Sequence, residues 1–161
     1  MDSGKFDIVL LKMKRLCSVR EYCTGDISAK AIKSGLSDIE VARLIDLLKK
    51  DKFVDDLRYS EAFARDKIKL SGWGPSKVVY ALKTKGVDSE IISAAVKSVD
   101  PDLQRGVLKR VLEQKLKTLN RDSDPDSVFN KLIRFALQRG YGFGEVFEAV
   151  KELTGKNKKS I

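Results

Sequence analysis

Residues 71–87 read Ser-Gly-Trp-Gly-Pro-Ser-Lys-Val-Val-Tyr-Ala-Leu-Lys-Thr-Lys-Gly-Val. The chain's only tryptophan stands between two glycines, and a proline follows at once. Proline suits the first position of a helix, because its φ is already helical and its missing N–H would find no partner there. Gly86 then follows a short basic amphipathic run. A glycine at that place takes a left-handed backbone conformation at little steric cost and ends a helix. The stretch therefore predicts a turn, a short helix beginning at Pro75, and a stop at Gly86.

Working outward, the same punctuation recurs. Gly35, Gly86 and Gly140 each follow a short basic run and precede another helical pattern. Aligned on these glycines without gaps, the segments GLSDIEVARLIDLL, GVDSEIISAAVKSV and GYGFGEVFEAVKEL place apolar residues at matching positions. The matching triplets are Val41, Leu44, Ile45; Ile92, Ala95, Val96; and Val146, Ala149, Val150. Lys77 and Lys131 also align. Such self-similarity is the mark of a repeat architecture. Upstream, Phe6, Val9, Leu10, Met13, Leu16 and Cys17 recur at spacings of three and four, an amphipathic first helix. Ser37 and Glu40 form a capping-box pattern. Asp100-Pro101 and Asp124-Pro125 each set an N-cap ahead of a first-turn proline. Strand signals are nearly absent. The expected fold is all-α, with about nine helices in three tandem three-helix repeats: 1–51, 52–99 and 100–154, then a basic disordered tail at 155–161. Units this small bury little core alone, so stacking into an elongated, curved array is expected.

Composition narrows the chemistry. The 161 residues carry a net charge of +9 and no histidine. Histidine acid–base catalysis and Ser-His or Cys-His nucleophile pairs are thereby excluded. There is no Gly-x-x-x-x-Gly-Lys-Ser/Thr loop and no Gly-x-Gly-x-x-Gly fingerprint. Two cysteines, Cys17 and Cys23, without a Cys-x-x-Cys spacing do not make a zinc site and read as reduced thiols. No catalytic residue, metal or cofactor is expected, and the protein is read as a non-enzyme. No apolar run is long enough to span a bilayer and no signal-peptide layout opens the chain, so a cytoplasmic monomer without membrane contact is expected. The positive charge favours an anionic partner.

Three constellations could carry function. The Leu70-Ser-Gly-Trp-Gly-Pro turn is similar to the helix-hairpin-helix turn, whose backbone amides hold a DNA phosphate; it also fits a plain helix-to-helix turn. Trp73 could stack on a base or wedge the junction. Lys67, Lys69, Lys77, Lys83 and Lys85 flank this turn, and Lys109, Arg110, Lys115, Lys117, Lys131, Arg134 and Arg139 lie further on. Together they could neutralise phosphates or meet an acidic protein face. Asp55 and Asp56 sit where an N-cap belongs, and Arg58 is placed to bridge back to one of them.

In combination these motifs are specific. Asp55-Asp-Leu-Arg58-Tyr59-Ser-Glu61-Ala-Phe63, Gly72-Trp-Gly74-Pro75-Ser-Lys77 and Leu82-Lys-Thr-Lys85-Gly86-Val87 resemble the central signature of the RecX family. Leu16-Cys-Ser-Val-Arg20-Glu21-Tyr22 is similar to the family's opening motif, and Arg134-Phe135-Ala-Leu-Gln-Arg139-Gly140-Tyr141 to its closing one. There are departures: Cys23 stands where a capping serine is usual, Tyr59-Ser60 replaces Phe-Ala, and the helix from Asp26 to Ser34 differs from the common pattern. The resemblance implies an all-helical regulator that binds the RecA filament on single-stranded DNA. It would inhibit recombinase, ATPase and coprotease activities, with weak direct DNA binding of its own. Candidate contact residues are Arg58, Trp73, Lys77, Lys83, Lys85, Lys131, Arg134 and Arg139. The alternative is a stand-alone DNA-binding module using the Gly72–Gly74 turn and the basic helices.

Overall fold

The computed structural model describes residues 3–119 and 124–155. Among the described residues there are nine α-helices and no strand. They are α1 (Ser3–Val19), α2 (Thr24–Lys33), α3 (Asp38–Lys50), α4 (Asp56–Ser71), α5 (Pro75–Thr84), α6 (Ser89–Lys97), α7 (Pro101–Thr118), α8 (Pro125–Gln138) and α9 (Phe143–Thr154). The expected all-α fold of three-helix repeats is present. The tail from residue 156 onward lies outside the described residues.

The stops and starts follow from local chemistry. Gly35, Gly86 and Gly140 take φ values of +94°, +83° and +98°, the left-handed stop that the repeat demands. At α3, Ser37 accepts from the Glu40 N–H while Glu40 accepts from the Ser37 N–H, closing both ends of a capping box. Asp100 caps α7 by accepting from the Asp102 N–H. Asp124 precedes Pro125 as expected, yet its carboxylate makes no capping hydrogen bond.

The chain divides into two compact units. One comprises residues up to 62 together with 82–95; the other comprises 63–81 together with 96 onward. In the first, Phe6, Val9 and Met13 of α1 pack with Ile27 and Ala31 of α2 and with Val41, Leu44, Ile45 and Leu48 of α3. In the second, Leu108 and Leu112 of α7 meet Phe129, Leu132 and Ala136 of α8 and Val146 and Val150 of α9. Fully burying a side chain the size of Leu132 contributes about 1.5–3 kcal/mol, so each small core stands on a handful of such residues.

Candidate interaction surface

Four hydrogen bonds settle the role of the Gly-Trp-Gly-Pro turn, all within the second unit. The Gly74 N–H donates to the Arg139 carbonyl at 2.7 Å, and the Ser76 N–H to the Gly140 carbonyl at 3.0 Å. The Arg139 guanidinium donates to the Ser71 carbonyl, and the Tyr141 hydroxyl to the buried Gly72 carbonyl, each at 3.0 Å. The two turns approach so closely that a Cβ on Gly74 would run into the Gly140 and Tyr141 backbone, and one on Gly140 would lie 2.5 Å from the Lys77 nitrogen. This corrects the phosphate-loop alternative. Two of the turn's amide donors are consumed by Arg139 and Gly140, so they are not open to a DNA phosphate.

Trp73 is half-buried in the same unit. Phe63 meets its ring edge-on at 6.2 Å, and the ammonium groups of Lys67 and Lys77 lie 4.9 and 4.7 Å from its centroid. Cation–π contacts of this kind contribute roughly 0.5–1 kcal/mol where exposed. The tryptophan thus braces the junction and orients Lys77.

The third repeat gathers the other cations. Lys115 and Arg139 lie 5.1 and 4.9 Å from the Phe135 ring centroid. Lys115, Lys131, Arg134 and Phe135, with Leu119 and Gln138, line a cavity of about 170 Å³. Lys131 and Arg134 are exposed, three residues apart on one face of α8, the spacing that makes helix neighbours.

In the first unit two of the sequence candidates, Arg58 and Lys85, are bound up internally. Arg58 does not bridge to Asp55 or Asp56 through its guanidinium. Its Nε instead contacts both carboxylate oxygens of Glu21 at 2.9 and 3.0 Å, and its NH2 donates to the Lys52 carbonyl. The physical reason is that the two aspartates are already spent. Asp55 caps α4 through the Arg58 N–H, and Asp56 reaches α2, accepting from the Thr24 N–H and hydroxyl at 2.8 and 2.7 Å. Asp56 thereby supplies the capping acceptor that Cys23, the N-cap residue of α2, does not provide. Lys85 pairs with Asp26 at 3.1 Å and lies over Tyr59 at 5.9 Å. Burial opposes its charge, but the Asp26 hydrogen bond and Tyr59 outweigh that, and its pKa is raised. Burial likewise works against the Asp26 carboxylate, and Lys85 and Cys23 overcome it, so its pKa is lowered. Lys83 is exposed at the end of α5.

Lys85 and Arg139 each immediately precede a stop glycine, and each binds back to the preceding repeat: Lys85 to Asp26 in the first turn of α2, Arg139 to the carbonyl of Ser71, the last residue of α4. They are joint residues of the same kind. Burial raises both thiols' pKa, and Cys17 and Cys23 are free. No metal-capable cluster occurs among the described residues, and no described helix is long and apolar enough to cross a membrane.

Sequence reasoning missed Tyr22, which carries Arg20 and Lys30 over its ring at 4.7 and 5.5 Å. The signal was present: Tyr22 precedes Gly35 by the same interval that separates Trp73 from Gly86.

With this geometry in hand, the comparisons with known proteins converge. Residues 55–96 match the family model for the second three-helix domain of RecX. Regulatory protein RecX of Clostridium tetani is 32% identical over 128 residues, covering 79% of this chain. The shared likeness is to the RecX family. Regulatory protein RecX of Mycolicibacterium smegmatis is 28% identical over 139 residues, covering 84% of this chain and 74% of the relative. The crystal structure of RecX from Lactobacillus salivarius superposes with a TM-score of 0.85 at 18% identity, covering 94% of this chain and 97% of that one, a likeness of fold. The chain spans about half the length of the clostridial RecX relatives it matches, 56% and 55%.

Proposed function

We propose that this chain regulates homologous recombination by binding the RecA filament on single-stranded DNA and inhibiting its recombinase, ATPase and coprotease activities, with no chemistry of its own. The observation that carries the reading is the exposed pair Lys131 and Arg134, which line one cavity with Lys115 and Phe135 on a chain similar to RecX. Lys115, held against the Phe135 ring beside this pair, loses less freedom on meeting an anionic surface, which favours binding. Lys77, steadied by Trp73, and Lys83 extend the candidate set. Arg58, Lys85 and Arg139 act in this reading by positioning, since each is engaged within the fold. Direct DNA binding through the basic helices is a weak accessory.

The experiment is a titration of RecA ATPase on single-stranded DNA, run beside naked-DNA affinity at rising salt. Inhibition at salt that abolishes naked-DNA binding supports the reading. Inhibition that disappears together with naked-DNA affinity assigns the effect to competition for DNA and overturns it.

A further inference from the structure

The first unit carries a groove that the basic cluster of the third repeat does not involve. Between α1 and α2, three cavities of about 530, 460 and 410 Å³ run together. The first two share Lys12 and Ser34, and the second and third share Lys30 and Lys33. On α1 the lining advances from Gly4 through Ile8 and Lys12 to Leu16, about 18 Å at the helical rise. It then passes Arg20 and Tyr22.

Two properties of this groove fix its occupant. Its floor is apolar: Ile8 is 71% exposed although α1 already spends Phe6, Val9 and Met13 on the core, and Leu16 adds to it further along. Its rim is cationic: Lys5, Lys12, Arg20, Lys30, Lys33 and Lys85 line the three cavities against a single carboxylate, Asp26, which Lys85 already neutralises at 3.1 Å. Phosphates would satisfy the rim but leave Ile8 in water. A plain apolar helix would fill the floor but desolvate the cationic rim without bringing any counter-charge to it. A segment with apolar anchors one helical turn apart and carboxylates on both flanks satisfies both, the helix-in-groove mode of recognition.

We infer that the α1–α2 groove docks an acidic amphipathic helix of a partner protein. The inference is independent of filament inhibition and needs no recombinase for its test.

The test uses the full chain and a fluorescein-labelled 18-residue helical peptide of leucine and glutamate in a three-four repeat, read by anisotropy. A serine-for-leucine version of the peptide and an 18-mer of thymidylate serve as comparators. Saturable binding, weakened at least tenfold by Lys12→Glu with Lys30→Glu and at least fivefold by Ile8→Ser, supports the docking site. Lys49→Glu with Lys50→Glu, exposed on α3, should leave binding unchanged. Equal binding of the serine peptide or of the oligonucleotide shows a general polyanion surface and overturns the proposal, as does failure of the leucine peptide to bind. Sedimentation revealing a dimer that Ile8→Ser dissolves would give the groove to a second copy of the chain, which also overturns it. Ile8→Ser removes no core contact, and its helicity by circular dichroism should match the parent.

Discussion

The Gly74 N–H donates to the Arg139 carbonyl at 2.7 Å, joining two turns that lie 65 residues apart in sequence through their main chains. Neither residue's side chain makes this bond. What such a joint requires is backbone proximity, and its sensitivity falls on glycine.

Gly74→Ala and Gly140→Ala should therefore be among the costliest small substitutions in the second unit. Each new methyl meets backbone or the Lys77 Cβ, and at Gly140 the φ of +98° adds strain. A loss of about 1–3 kcal/mol or more is expected. Gly86→Ala, with a φ of +83° but open space around it, should cost only about 1 kcal/mol. Urea midpoints decide the matter; equal losses at Gly140 and Gly86 with little loss at Gly74 would show that φ strain, not close approach, governs.

Tyr141 gives a pH signature. Burial pushes its hydroxyl up to about 12, against about 10 for a free tyrosine. The folded state thus holds this proton more tightly than the unfolded chain. The stability it contributes is fully present below pH 10 and declines as pH rises towards 12. Tyr141→Phe should lose about 1 kcal/mol at neutral pH by orphaning the Gly72 carbonyl. The gap between parent and variant should narrow as pH rises from 10 towards 12. A gap of constant size over that range would count against the hydroxyl as the bonded donor.

The Asp26–Lys85 pair makes a prediction at the acid end. The Asp26 pKa is lowered in the fold, so its stabilisation is present above the unfolded carboxylate range and is lost as pH falls through the folded value. Asp26→Asn should cost about 1 kcal/mol at pH 7, since the pair is partly exposed. The difference from the parent should shrink in acid, measured by thermal melts across pH 3–7.

Much of this fold can be read directly from residues. The stop glycines, the Ser37–Glu40 box, Pro75 and Pro101 act over a few neighbours, so local chemistry announces them. The Asp56–Thr24, Arg58–Glu21 and Lys85–Asp26 bonds span 32, 37 and 59 residues, and no local rule selects among the many charged partners on such helices. The candidate site suffered most from this. Arg58, Lys85 and Arg139 look alike to Lys131 and Arg134 in sequence, yet the first three are spent on the fold. Trp73 could be read from sequence as a stacking residue or as a wedge, and only the Phe63, Lys67 and Lys77 contacts, which no local rule supplies, show how it is packed.

Lys131→Glu with Arg134→Glu should weaken inhibition of RecA ATPase at least tenfold while leaving circular dichroism unchanged, because both are exposed. Arg139→Gln should instead lower stability, through loss of the bond to Ser71. Inhibition that survives the double reversal would move the functional surface elsewhere.

Thr24→Val, which removes the hydroxyl from Asp56 but keeps the amide bond, should cost about 0.5–1.5 kcal/mol by chemical denaturation.

The joint at Gly74 and Gly140 has an evolutionary corollary. Main-chain bonds from Gly74 and Ser76, with the side chains of Arg139 and Tyr141, fix how these two turns meet, and the exposed positions Lys131 and Arg134 of α8 take no part in them. Residues such as Lys131 and Arg134 can change to suit a different partner without redirecting the helix that bears them, so recognition can evolve on a scaffold whose geometry does not.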